Sequence, residues 1–277
     1  MFISAGISFG IKKLYHAVLF PIYLRICREQ TDLEIRRVRS AKGVRNFFKV
    51  TFYLYSSIFG YLMLRDSYVL PPSLGGTGAF GEYMRNYPYW EHPPYYTAFY
   101  MSCMGFFFFE LVWHVACEDW NKGDFLEMLL HHFVTIYLML FSFLGNLFIG
   151  APVLLIHNSS DICISLCRAI NETKYNKIGG HIFIVGVAIW VYMRCWVFPQ
   201  LVYTVIFQMD YQGLVPQSLI RLFGILLCCL QMLHIYWTLL MFKIIFSIVF
   251  KGHVDDLVNK NKLSSDGGEA KKEVKKE

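Results

Sequence analysis

The sequence has few charged residues and lacks the cysteine patterns of disulfide-rich or zinc-binding domains. Only 17% of its 277 residues are charged, whereas 56% are hydrophobic, and the mean hydropathy is +0.41. No Cys-x-x-Cys motif occurs, and residues 66–96, the longest stretch between apolar runs, contain no cysteine. These absences exclude a disulfide framework and a cysteine-based zinc site. The composition indicates a polytopic membrane protein instead.

Six apolar runs have roughly the 20 residues that a helix needs to cross a bilayer. They cover residues 47–64, 97–115, 125–144, 147–167, 180–207 and 218–250. The last two exceed one bilayer thickness, so we expect them to tilt or kink, the fifth at Pro199. The sequence therefore predicts an all-α fold, a polytopic transmembrane helical bundle with six core spans.

The N-terminal residues 1–24 are also apolar but are interrupted by Lys12 and Lys13. Only residues 14–24 form an unbroken apolar run, which is too short to span a bilayer. The charges follow the first apolar residues, whereas a cleavable signal peptide has them in front. An interfacial helix and a short membrane helix are both compatible with this pattern, and we favour the interfacial helix.

Basic residues concentrate on one side of the predicted spans. The loops on the side of residues 25–49 hold nineteen Lys and Arg residues, and the opposite loops hold only Arg65 and Arg85. Since positive loops stay in the cytosol, this predicts a cytosolic C-terminus and explains the net charge of +6 without a nucleic-acid partner. Residues 251–277 are predicted to form a disordered basic cytosolic tail.

Ionisable residues interrupt two neighbouring apolar runs at similar depth. His131 lies seven residues beyond Asp124, and Asp161 lies seven residues before Arg168, so both are predicted about 10 Å from the cytosolic surface. Only two residues separate the runs, which predicts adjacent antiparallel helices. Polar residues are expensive in hydrocarbon and usually face a cavity or a partner. The further polar residues at this level are His132, His157 and Asn158.

Imidazole transfers protons near neutral pH and can act as a nucleophile, which makes these histidines candidate catalytic residues. Glu127, His131 and Thr135 share one helix face, and so do His157 and Asp161. Asp161 or Glu127 is therefore predicted to orient an imidazole. A metal site is not expected, because adjacent histidines on a helix diverge by about 100°.

Two further charges lie inside apolar runs. Arg194 falls about fifteen residues into the fifth run, and Glu110 lies in the second. A buried arginine needs a partner, so we expect Arg194 to pair with Glu110, Asp161 or a ligand.

The chain resembles the ceramide synthases of the TLC-domain (Lag1) family. The resemblance is carried by DF-x3-LLHHFVTIYLMLFSF from residue 124, LLIHNSSD at 154–161, FFKVTFYLY at 47–55, NYPY at 86–89, RCWVFP at 194–199 and LQMLHIYW at 230–237. It divides the chain into a membrane-associated and basic segment (1–43), a TLC domain (44–250) and the tail (251–277). Asn158 departs from the family, which usually has aspartate there, and Glu110 and Glu127 are also unexpected.

The resemblance implies an N-acyltransferase of the endoplasmic reticulum membrane that moves a fatty acyl group from acyl-CoA to a long-chain sphingoid base. It implies that His131 carries the acyl group and that residues 209–217 tune acyl-chain length. Acyl-CoA is the co-substrate and no other cofactor is implied, while homodimer and heterodimer formation both stay open. The alternative is a non-enzymatic TLC protein that binds lipid or serves trafficking or the translocon.

Overall fold

The computed structural model describes residues 1–85, 87–89, 91–118, 120, 123–208 and 213–251, with side chains as far as residue 247. Residues 252–277 of the predicted tail (251–277) and residues 209–212 of the 209–217 segment lie outside this part. The described chain contains eight α-helices: α1 (Phe2–Ile26), α2 (Leu33–Leu64), α3 (Tyr96–Cys117), α4 (Phe125–Leu144), α5 (Gly150–Asn171), α6 (Asn176–Trp190), α7 (Phe198–Tyr203) and α8 (Gln217–Lys251). Two π-helical stretches, Val191–Val197 and Thr204–Gln208, flank α7.

Six helical stretches of the described chain are long and apolar enough to cross a membrane. They are Leu33–Leu64, Tyr96–Cys117, Phe125–Leu144, Gly150–Asn171, Asn176–Gln208 and Gln217–Ser247. The predicted all-α bundle with six spans is confirmed, and the chain is a multi-pass membrane protein. We call the side on which α4 begins the cytosolic side, following the charge distribution, and the opposite side lumenal.

Local sequence explains where two of these helices begin or change geometry. Asp32 precedes α2, and its carboxylate accepts hydrogen bonds from the backbone N–H groups of Glu34 (2.8 Å) and Ile35 (3.0 Å), as an N-cap residue does. Pro199 has no N–H to donate to the preceding turn. The fifth span departs from α-geometry directly before it, in the π-helical stretch Val191–Val197. The predicted kink at Pro199 stays a prediction.

Helix α1 lies along α3 and α2 rather than standing apart from the bundle. Gly105 in α3 permits this approach, because a Cβ there would overlap the side chain of Ser4. Farther along, Lys12 lies over the ring of Trp113, and Tyr23 packs against Gly43 of α2. Helix α1 therefore runs parallel to α3 and antiparallel to α2. It is not among the described stretches that are long and apolar enough to cross a membrane, and the interfacial helix stays a prediction.

The prediction that α4 and α5 pack as adjacent antiparallel helices is only partly right. Helix α5 packs chiefly against α2 and α6, whereas α4 packs chiefly against α3 and α8. The two meet near their lumenal ends, where a Cβ at Gly150 would overlap Ser142 and the Tyr100 hydroxyl. Residues 145–149, rather than two residues, connect them. The short connection holds the ends together, and the helices diverge towards the cytosolic side.

Candidate active site

Helices α3, α4, α5 and α8 line a cavity between α4 and α5. Its polar wall consists of His131 and Thr135 from α4 and His157 and Asp161 from α5. The rest of the wall is mainly apolar and includes Phe107, Leu138, Met139, Leu154, Leu227 and Leu230. Four residues predicted to belong to the site from the sequence thus line one cavity, and they include His131 and Asp161, which were predicted at one depth.

His131 offers a ring nitrogen without a partner. Its Nδ1 is buried and has no hydrogen-bond partner among the described residues, and the same holds for the hydroxyl of Thr135 one turn further. Trp237 of α8 holds the imidazole edge-on, with ring centroids 5.2 Å apart. Both atoms lie on the wall of this cavity, where the polar group of a ligand could pair with them.

His132 faces away from this cavity, towards α3. Its ring centroid lies 5.7 Å from that of His131 and 5.5 Å from that of His114. His114 in turn bonds the carbonyl of Phe125 through Nε2 at 3.0 Å. The predicted divergence of the two adjacent histidines is therefore present, and only the first of the pair lines the cavity.

The buried Arg194 forms an ion pair with the partly exposed Asp161 at the edge of the cavity. Arg194 Nη2 lies 2.7 Å from Asp161 Oδ2, and the two side chains are 2% and 22% exposed. The guanidinium also donates to the hydroxyl of Ser160 at 2.7 Å and to the carbonyl of His157 at 3.1 Å. It stacks 3.7 Å from the ring centroid of Trp190. Of the predicted partners of Arg194, Asp161 is the one it contacts.

Since Asp161 pairs with Arg194, it does not orient an imidazole as predicted. No hydrogen bond joins it to any of the histidines within the described chain. Glu127, the other predicted orienting carboxylate, lies beside the hydroxyl of Tyr236 on α8. The sequence placed Glu127 and His131 on one face correctly, but a separation of one turn does not ensure that two side chains point at each other.

His157 is oriented instead by a backbone carbonyl and by a second histidine. Its Nδ1 lies 2.7 Å from the carbonyl oxygen of Val153, and its Nε2 lies 3.1 Å from Nε2 of His234. A carbonyl oxygen can only accept, so Nδ1 of His157 carries the proton. In the neutral pair, His234 therefore donates from Nε2 to His157, and its own Nδ1 is an acceptor without a partner in the described structure.

Glu110 belongs to a separate polar cluster on the α3 side of His132. One carboxylate oxygen pairs with Lys49 of α2 at 2.5 Å, and the other has no partner within the described chain. The predicted alternative of a Glu110–Arg194 pair is wrong, because the two residues pair with different partners.

Asn158 is fully buried, and its amide lies 3.9 Å from the sulfur of Cys103, outside the cavity wall.

Three contributors to these networks were not singled out from the sequence: His234, Ser160 and Lys49. His234 stands in LQMLHIYW, one of the blocks that carried the family resemblance, so a signal for it was present. Its partner is 77 residues away in the chain, and helical spacing cannot reveal such a contact. Lys49 lay at the edge of an apolar run and was counted as an orientation signal.

Comparison with known proteins agrees with this architecture. A family model described as the TLC domain matches residues 44–243. Ceramide synthase 4 of Homo sapiens is 33% identical over 154 residues, which cover 54% of this chain and 39% of that protein. Ceramide synthase 4 of Bos taurus is 30% identical over 256 residues, or 88% of this chain and 62% of that protein. Ceramide synthase hyl-2 of Caenorhabditis elegans is 29% identical over 223 residues, or 76% and 64%.

The fold and these matches together define the class of protein and its family. The chain is a multi-pass helical membrane protein with a polar site buried among its spans. It belongs to the TLC-domain family, and the resemblance to ceramide synthases within that family is confirmed. The chain spans less than two thirds of the length of these relatives.

Proposed function

We propose that the protein is a ceramide synthase, which transfers a fatty acyl group from acyl-CoA to the amine of a sphingoid base. The observation that carries this proposal is that His131, His157 and Asp161 lie on the polar wall of one cavity whose other walls are mainly apolar. An acyl donor needs both parts, because its thioester must reach reactive groups while its alkyl chain stays in apolar surroundings. The relatives named as ceramide synthases support the same activity.

The length of the cavity suits one acyl chain. Asp161 and Gly150 line opposite ends of its α5 wall, and the helix rises about 16 Å over the eleven residues between them. This length is about half of the roughly 30 Å hydrocarbon core, so it matches the depth of one bilayer leaflet. The thioester would lie beside His131 with the chain extended towards the lumenal side.

The arrangement also suits a reaction whose substrates arrive from two phases. The CoA part is polar and anionic, and the basic cytosolic loops would attract its phosphates. The sphingoid base would enter from the lipid, and its amine would meet the acyl carbonyl at His131. In this proposal acyl-CoA is the only co-substrate, and the protein resides in the endoplasmic reticulum membrane with its C-terminus in the cytosol.

The test is an activity assay with purified protein in detergent or liposomes. Acyl-CoA and sphinganine are added, and the N-acyl product is quantified by mass spectrometry. We expect product with the wild type and nearly none with His131→Ala. His181→Ala is the matched control, because His181 is exposed on α6 and does not line the cavity, and it should retain wild-type turnover.

The assay also addresses the non-enzymatic alternative. A lipid-binding or trafficking protein on this fold would bind the sphingoid base or the acyl chain without forming product. Folded wild-type protein that makes no N-acyl product from any acyl-CoA would contradict the proposed function and favour that alternative.

A further inference from the structure

A second, smaller and tightly packed apolar cavity lies on the lumenal side of the proposed acyl cavity. Its wall includes Tyr83 from the connection between α2 and α3, Leu147 and Ile149 from the connection before α5, and Val205 and Val215 from either side of the last connection. Its lining residues are uncharged, as in the apolar part of the larger cavity, and such surroundings suit an alkyl chain.

One residue, Phe223 of α8, lines both cavities. It is buried, with 5% of its surface exposed. On its lumenal side Leu219 and Ile220 line the small cavity, and on its cytosolic side Leu227 and Leu230 line the large one. These positions recur every three to four residues, so a single face of α8 runs along both cavities. The ring of Phe223 therefore separates the small cavity from the large one, and the two cavities follow each other along α8.

We propose that Phe223 is the stop that limits the length of the bound acyl chain, and that the small cavity is an acyl subsite which this ring closes off. The proposal rests on the proposed function, since it assumes that an acyl chain occupies the large cavity. A chain that enters beside His131 and extends along α8 meets the ring of Phe223 at the lumenal end. Removing the ring would join the two spaces without placing a polar group in the path.

The geometry sets the size of the effect. The α8 axis rises about 6 Å between Phe223 and Leu219. With C–C bonds of about 1.5 Å, an extended alkyl chain advances about 1.25 Å per carbon, so this added depth holds about four to five further carbons. Phe223→Ala should therefore raise the preferred acyl length by about four to five carbons, and Phe223→Leu should raise it by less.

The experiment offers the purified protein an equimolar mixture of even-numbered saturated acyl-CoAs together with sphinganine, and measures the product profile. Leu227→Ala is the matched control, because Leu227 lines only the large cavity and its truncation widens that space without opening the small one. This control should keep the wild-type maximum length. In the double variant Phe223→Ala/Val215→Phe, the new ring fills the small cavity and the profile should return towards that of the wild type.

A second readout separates this inference from the proposed function. Native mass spectrometry measures which acyl-CoAs the same variants retain, whether or not they are turned over. A shift of retained chain length in Phe223→Ala without any product would support the stop and contradict the activity. Folded Phe223→Ala with an unchanged retention profile would overturn the stop, and so would an equal shift in Leu227→Ala. If Phe223→Ala does not fold, Phe223→Leu decides by the same criteria.

Discussion

The ion pair between the buried Arg194 and the partly exposed Asp161 gives the sharpest prediction about stability. Asp161→Asn keeps the shape of the side chain but removes the charge that lies 2.7 Å from the guanidinium. Breaking a buried ion pair by neutralising one partner costs about 3 to 5 kcal/mol, because the other charge is left uncompensated. Arg194 keeps the hydroxyl of Ser160 and the carbonyl of His157 as acceptors, so we expect the lower end, about 3 kcal/mol.

The measurement is thermal unfolding in detergent micelles followed by tryptophan fluorescence. A loss of about 3 kcal/mol should lower the midpoint by roughly 6 to 12 °C for a chain of this size. Asp66→Asn is the matched control. Asp66 Oδ2 also lies close to an arginine, 3.0 Å from Nε of Arg65, but the two side chains are 84% and 53% exposed. An exposed pair contributes about 0 to 1 kcal/mol, so this control should shift the midpoint little.

A double variant tests the cause of the loss. In Asp161→Leu/Arg194→Met both charges are replaced by apolar groups, and such replacements are often neutral or stabilising. We therefore expect its midpoint to lie above that of Asp161→Asn, although its activity should be lost. A wild-type midpoint in Asp161→Asn, or a double variant that is less stable than the single one, would refute the reasoning.

Two further predictions compare neighbouring polar groups. Glu110→Gln should lower the unfolding midpoint less than Asp161→Asn. The side chain of Lys49, the partner of Glu110, is 24% exposed and can turn its ammonium towards water, whereas Arg194 is 2% exposed and cannot. An equal or larger loss of stability in Glu110→Gln would contradict this. His234→Ala should reduce turnover by about 100-fold, while His234→Gln, whose amide can donate to His157, should restore part of it. Equal turnover in both variants would mean that the hydrogen bond is not what matters.

Hydrophobic length and helical rise accounted for much of the architecture. Runs of about 20 apolar residues have few ways to satisfy their backbone in a bilayer except as helices, so the six spans could be counted. The rise of about 1.5 Å per residue placed His131 and Asp161 at one level, and both line the same cavity. These quantities depend only on distance along one helix.

The rotation of each helix about its own axis could not be predicted from the sequence. It decides that Asp161 meets Arg194 rather than an imidazole, and that His132 faces His114 rather than the cavity. The five-residue connection between α4 and α5 constrains only their ends, so it could not show that α2 and α6 are the main neighbours of α5. Contacts between distant segments, such as that of His157 with His234, depend on this packing.

The last prediction concerns the two routes that acyl transfer can take at His131. In the covalent route a ring nitrogen attacks the thioester carbonyl, the C–S bond breaks, and CoA leaves as its thiol once it has gained a proton. The sphingoid amine then attacks the acyl-imidazole, loses a proton to a nearby base and frees the ring. In the other route His131 is only a general base, and both substrates are bound together.

We propose the covalent route for two reasons. Nδ1 of His131 has no partner among the described residues, and no carboxylate there holds the ring as a fixed proton acceptor. Separate entry from water and from lipid also lets CoA leave before the amine arrives. Intact-protein mass spectrometry after incubation with acyl-CoA alone should therefore show one acyl adduct in the wild type and in His181→Ala, and none in His131→Ala. Sphinganine should discharge it. Active enzyme that shows no adduct after a rapid acid quench would leave the general-base route.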